Sequence, residues 1–171
     1  YLKPSRFDSS GVYFGTSVAV GGETVAVGSL YVGAEVFVRT TGGFAWQAVL
    51  DDSKQDSLFG ISVAVAGDLL AVGAANDASG ALGLNGDESS GAAPSSGAAH
   101  VYVRNDNAWA RLAYVKAINT DPFDRFGCAV ALSGKTLVVG AEREASAASD
   151  VNGNAMDNSL AQSGAAYVYS F

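Results

Sequence analysis

The sequence predicts an all-β chain made of three repeats of a four-strand antiparallel unit, and three observations lead there. First, a run of the form Phe-Gly-x-(Ser/Ala)-Val-Ala-(Val/Leu) starts at Phe14, at Phe59 and again at Phe126. Second, each copy leads through a glycine-bearing turn into another short apolar run, the pattern of a β-hairpin. Third, the same 67-residue offset separates Phe59 from Phe126 and Gly97 from Gly164, so the last two copies align across three elements without a gap. The apolar residues alternate with period two, which excludes a helical solenoid.

The strands follow in order. The first in each repeat is the Phe-Gly run. The second is Val25-Ala26-Val27-Gly28, Leu69-Leu70-Ala71-Val72-Gly73-Ala74 or Thr136-Leu137-Val138-Val139-Gly140-Ala141. The third opens on glycine and mixes small, β-branched and aromatic residues: Gly33–Val38, Gly97–Val103 and Gly164–Tyr169. A fourth begins at Trp46 and at Trp109. Both tryptophans are expected to cover sheet edges or the seams between units. The opening Tyr1-Leu2-Lys3-Pro4 reads as the tail of another fourth strand, because Tyr114-Val115-Lys116-Ala117 stands at nearly the same distance before its Phe-Gly. The repeats divide the chain at 1–47, 48–111 and 112–171, the last without its outer strand.

The Phe-Gly opening, the Val-Gly-Ala ending of the second strand and the Gly-Ala-(Ala)-x-Val-Tyr third strand resemble FG-GAP repeats. The resemblance implies β-propeller-type blades of four antiparallel strands, an extracellular or cell-surface location, and a structural or adhesive role. Members of the integrin type also carry a Ca²⁺ loop between the first two strands. Here those positions are tight turns, so that site is not expected. Closed propellers typically have four to eight blades, so a ring is not closed by one chain with three. Three arrangements follow: part of a larger propeller, a ring completed by several chains, or strand exchange between chains. In the last, Tyr1, Leu2 and Lys3 would pair with the open edge at Ala166, Tyr167, Val168, Tyr169 and Phe171. A heterologous contact of that kind that does not close builds a filament.

Composition narrows the chemistry. A formal charge of −7 with ten scattered Lys and Arg opposes nucleic-acid binding. No apolar run approaches the roughly 20 residues needed to span a bilayer as a helix. The single histidine, His100, and the single cysteine, Cys128, are expected on sheet faces, and no nucleophile elbow is present; catalysis is not expected. The partners expected are further copies of the chain or other protein chains, with carbohydrate as the alternative ligand. One loop has metal-like spacing: Asp150, Asn152 and Asn154, with Asp157 or Asn158 next. Hard-cation sites need six to eight oxygens, and alternate side chains of a tight loop can converge to supply them. Ca²⁺ is the ion this set would take.

Overall fold

The computed structural model describes residues 1–6, 12–54 and 56–171. Its described residues form eleven strands in three antiparallel sheets, each a meander. The first holds β1 (Phe14–Gly21), β2 (Thr24–Ser29), β3 (Gly33–Thr40) and β4 (Gly43–Leu50). The second holds β5 (Phe59–Ala66), β6 (Leu69–Ala74), β7 (Ala98–Asn105) and β8 (Ala108–Val115). The third holds β9 (Phe126–Ser133), β10 (Thr136–Ala141) and β11 (Ala165–Ser170). The predicted all-β, blade-like architecture is therefore what the chain adopts. The sheets separate at linkers 51–58 and 116–125, whereas the sequence repeats divide within β4 and β8.

Period-two alternation gives every sheet two unlike faces. One carries small residues and the other carries aromatic and branched ones, and the sheets stack small face on large face. Across the first seam, Ala26, Ala34 and Val36 pack against Phe59, Leu70, Val72 and Tyr102. Across the second, Ala71, Ala99 and Val101 pack against Phe126, Leu137 and Val139, with Tyr167 and Tyr169 at the margin. There is thus one apolar core per seam, not one per sheet. Packing two faces in this way is what stabilises each blade, because a lone meander leaves both faces wet.

The Phe-Gly signature has a specific task at these seams. The register slips by bulging between Phe59 and Ser62 and between Phe126 and Ala129, as it does between Phe14 and Ser17. Gly60 and Gly127 sit in the bulges with φ of 95° and 89°, a conformation that favours glycine. The bulge pushes the glycine carbonyl toward the preceding sheet, where Ser17 Oγ donates to Gly60 O and Ser62 Oγ donates to Gly127 O, each at 2.8 Å. Gly28 and Gly73 leave room for those carbonyls; a Cβ on either would lie 2.0 Å from the oxygen.

The stacking leaves two faces without a sheet against them among the described residues. On the first sheet it is the large face, where Val18 and Val20 are 70% and 72% exposed. On the third sheet it is the small face, with Ala129, Ala131 and Ala166 exposed and Val168 69% exposed.

Two alignments that the repeats suggest are corrected, the one that sets Val36 level with His100 and the one that sets Trp46 level with Trp109. The first-sheet residue opposite Val27 is Glu35, as His100 lies opposite Val72 and Tyr167 opposite Val139. Glu35, not Val36, is therefore the counterpart of His100. Its loop is short, and aligning on the Gly-Ala pair shifts the register by one. Likewise Trp46 faces Phe37 and Trp109 faces Arg104, so the two tryptophans are not equivalent. Trp109 does reach across the first seam, its indole N–H donating to Gln47 Oε1 at 2.8 Å. Trp46, half exposed, donates to Glu35 Oε2 at 2.9 Å.

Candidate functional site

In the second sheet the fourth strand is gripped from both sides. On one side β8 pairs with β7, placing Val115 opposite Ala99 and Tyr114 opposite His100. On the other, the long loop between the second and third strands folds back over it. Lys116 N–H donates to Gly83 O at 2.8 Å, Asn85 N–H donates to Tyr114 O at 2.8 Å, and Tyr114 N–H donates to Asn85 Oδ1 at 2.9 Å. Leu84 and Val115 form an antiparallel bridge.

Two side chains of this strand tail are anchored in a buried polar pocket. Tyr114 Oη donates to Asp77 Oδ1 at 2.8 Å. The fully buried Lys116 ammonium donates to Ser96 Oγ at 2.7 Å and Gly97 O at 2.6 Å, and lies 3.6 Å from Asp77 Oδ1. Burial pulls the Lys116 pKa down to about 8, against the opposing pull of Asp77. Burial alone would raise the Asp77 carboxyl, but the Lys54 ammonium bonded to it, the Ser79 N–H and the Tyr114 hydroxyl outweigh burial and lower it. Beside the pocket, His100 lies between the Phe59 and Tyr114 rings, its centroid 5.1 and 5.2 Å from theirs. Neither of its nitrogens has a hydrogen-bond partner among the described residues.

The third sheet repeats this frame hydrogen bond for hydrogen bond. Ser79 N–H donates to Asp77, and Ser146 N–H donates to Glu144. Ser96 Oγ donates to the carbonyls of Asp77 and Ser79, and Ser163 Oγ to those of Glu144 and Ser146. Ser79 Oγ donates to Asp87 O and Ser146 Oγ to Asn154 O. Asn85 and Asn152 share a left-handed conformation, φ 54° and 57°.

What differs is the strand. Where β8 lies in the second sheet, the third has two adjoining cavities. One of ≈ 400 Å³ is lined by Glu144, Asp150, Asn152, Gly164 and Tyr167. The other, ≈ 540 Å³, runs beside Asn152, Ala166, Val168 and Tyr169. Val151, which stands where Leu84 bridges β8, is 92% exposed.

The predicted edge residues Ala166, Tyr167, Val168 and Tyr169 are thus brought together on β11, with Phe171 just beyond it. Tyr1, Leu2, Lys3 and Pro4 form no strand, since a strand needs a neighbouring edge. Close by, Ser5 N–H donates to both Glu35 carboxylate oxygens at 2.9 and 3.0 Å. The five loop residues proposed for a metal do not all line one cavity. Asp150 and Asn152 line the first cavity, while Asn158 lines a separate one with Asp121 and bonds to it at 2.7 Å. Asn154 Oδ1 and Asp157 Oδ1 accept backbone N–H groups two residues on, as Asx turns do. Among the described residues no group of three or more His, Cys, Asp or Glu is placed to hold a metal.

Sequence reasoning missed the Asp77–Lys116 pocket and its Glu144 counterpart. The signal was there in the common 67-residue offset, which also relates Asp77 to Glu144, Ser79 to Ser146 and Ser96 to Ser163.

Residues 109–169 match the model of a family described as FG-GAP repeat. No curated protein matches the chain.

Proposed function

With residues 109–169 an FG-GAP repeat, we propose that the chain is a non-enzymatic structural or adhesive module of the extracellular space or cell surface, which assembles with other copies of itself by stacking blades and completing strands. FG-GAP repeats are typical of such proteins, and among the described residues no helix is long and apolar enough to cross a membrane. The observation that carries the reading is the pair of faces with no sheet against them among the described residues, on the first of which Val18 and Val20 are exposed while Val27, Glu35 and Phe37 are buried. The large face of the first sheet and the small face of the third are the two halves of the seam that the molecule already makes twice. A contact between them is heterologous, so each added copy presents the same free face again.

Gly140 tests this. It stands where Gly28 and Gly73 admit a neighbour's carbonyl, yet a Cβ built on it meets nothing nearer than 3.6 Å. Gly140→Ala therefore leaves the monomer intact and obstructs a third seam. Sedimentation velocity over a concentration series should show assembly of the native chain and its loss in the variant. A native chain that stays monomeric, or a variant that assembles equally well, would contradict the reading.

A further inference from the structure

We propose that the two cavities on the third sheet are a strand-binding site for residues Tyr1-Leu2-Lys3 of a second copy, with Glu144 and Ser163 receiving Lys3 and Asn152 clasping the backbone at Tyr1. The inference rests on the assembly reading above and deepens it, from a face to a residue-level site and its occupant.

The second sheet supplies the template, because there the same site is filled by Tyr114-Val115-Lys116. The frame around that tripeptide is kept in the third sheet through the hydrogen bonds of Ser146 and Ser163 and the left-handed Asn152. The occupant is chosen by sequence: Tyr1-Leu2-Lys3 offers the same phenol, branched apolar residue and ammonium in the same order, shortly before a Phe-Gly strand. Transferring the register places Leu2 opposite Ala166 and Tyr1 opposite Tyr167, as Val115 lies opposite Ala99 and Tyr114 opposite His100.

The charges agree with this placement. Lys116 needs a carboxylate, a hydroxyl and a carbonyl, and finds Asp77, Ser96 and Gly97. Lys3 would find Glu144, Ser163 and Gly164. Glu144 is buried, and the hydrogen bonds it accepts come from Asn119 Nδ2 at 2.9 Å and Ser146 N–H at 3.0 Å. None of these donors is cationic, so an arriving ammonium adds the charge that its counterpart Asp77 already has. Val151 would bridge the incoming strand at Leu2, as Leu84 bridges Val115, and its exposure would fall from 92% toward the 49% of Leu84. The site departs from the template where Asp150 replaces Gly83, whose φ is +66°, where Tyr167 replaces His100, and where Asp121 stands in place of Lys54.

Register makes the test sharp. In a full-length Cys128→Ala background, Leu2→Cys with Ala166→Cys should form an intermolecular disulfide on mild oxidation. Leu2→Cys with Val168→Cys, two residues out of register, should not. In the native background, Lys3→Glu should weaken assembly on the order of tenfold, since it sets two carboxylates against each other. Glu144→Gln, which keeps an acceptor for Asn119, should weaken it too. Assembly that Gly140→Ala abolishes but that shows no register preference in cross-linking, and no response to Lys3→Glu, would overturn the strand site while leaving face stacking standing. Absence of any assembly would overturn both.

Discussion

Ser62 donates its hydroxyl to the carbonyl oxygen of Gly127 across the second seam, repeating at 2.8 Å the bond that Ser17 makes to Gly60 across the first. The third sheet has Ala129 at the corresponding position, so a third seam would form without this bond. Ser62→Ala should cost about 1 kcal/mol, the usual net value of a hydrogen bond whose loss leaves an acceptor partly satisfied. Urea unfolding gives this directly. Because the two serines serve different seams, Ser17→Ala with Ser62→Ala should be close to additive.

The seam glycines are the more severe case. Gly73→Ala would set a Cβ 2.0 Å from Gly127 O, and backbone on both sides resists moving. A loss of about 3 kcal/mol is expected, in the range for overpacking a close contact. Gly140→Ala, the same change one sheet later, should alter stability by less than about 0.5 kcal/mol in the monomer, as changes away from tight contacts do. Thermal melts of the two variants side by side make the comparison.

Asp77 holds the pocket of the second sheet together. Asp77→Asn would leave the buried Lys116 ammonium with neutral partners only and weaken the tie to Lys54. Removing one partner from a buried charge pair costs about 3 to 5 kcal/mol, and the lower figure applies because Lys54 is partly exposed. Denaturant titration at pH 7 checks it. Against burial, Asp77 holds the Lys116 pKa up at about 8, so in the variant the lysine gives up its proton below that value and part of the loss should be recovered as the pH rises toward about 8.

His100 makes stability depend on acid. Burial pulls its pKa from 6.5 to about 3; Asp77 opposes that shift, and the nearby cations Arg111, Lys54 and Lys116 add to it. The unfolded chain therefore binds the proton first. Between pH 6.5 and about 3 the fold loses stability as the pH falls, while above 6.5 this residue contributes no slope. Asp124, raised to about 6 by burial, works in the opposite sense between about 6 and its ordinary value. His100→Phe isolates the histidine, because Asp124 is common to both proteins. The native chain should lose on the order of 4 kcal/mol more than the variant between pH 7 and 3; parallel pH profiles would show that His100 titrates normally.

The repeats were legible because their residues serve local rules: alternating small and large residues for the two faces, glycine for the bulge, and glycine-bearing turns. Phe59 and Phe126 are buried in the seams, while Phe14 is only half buried because no described sheet lies against its face. What escaped depends on groups distant in sequence. Glu35 was passed over as the partner of His100 because the short first loop hides a one-residue shift. Lys116 looked like an ordinary strand-end lysine, since its burial is set by Asp77 and Ser96 from another loop. The loop 150–158 resembled an ion site because Asx turns and metal loops use the same residues. Its hydrogen bonds match those of the loop before β7, a likeness that only the folded chain displays.

The central claim is that the large face of one copy meets the small face of the next, and mixing two blocked variants tests it most directly. Val18→Arg blocks the large face and Val168→Arg the small face, both at exposed positions. Each variant alone should be monomeric by light scattering. Mixed in equal amounts they should form a dimer and stop there, because each retains the half-seam the other lacks. Two variants that stay monomeric when mixed, or that each assemble unaided, would contradict the account.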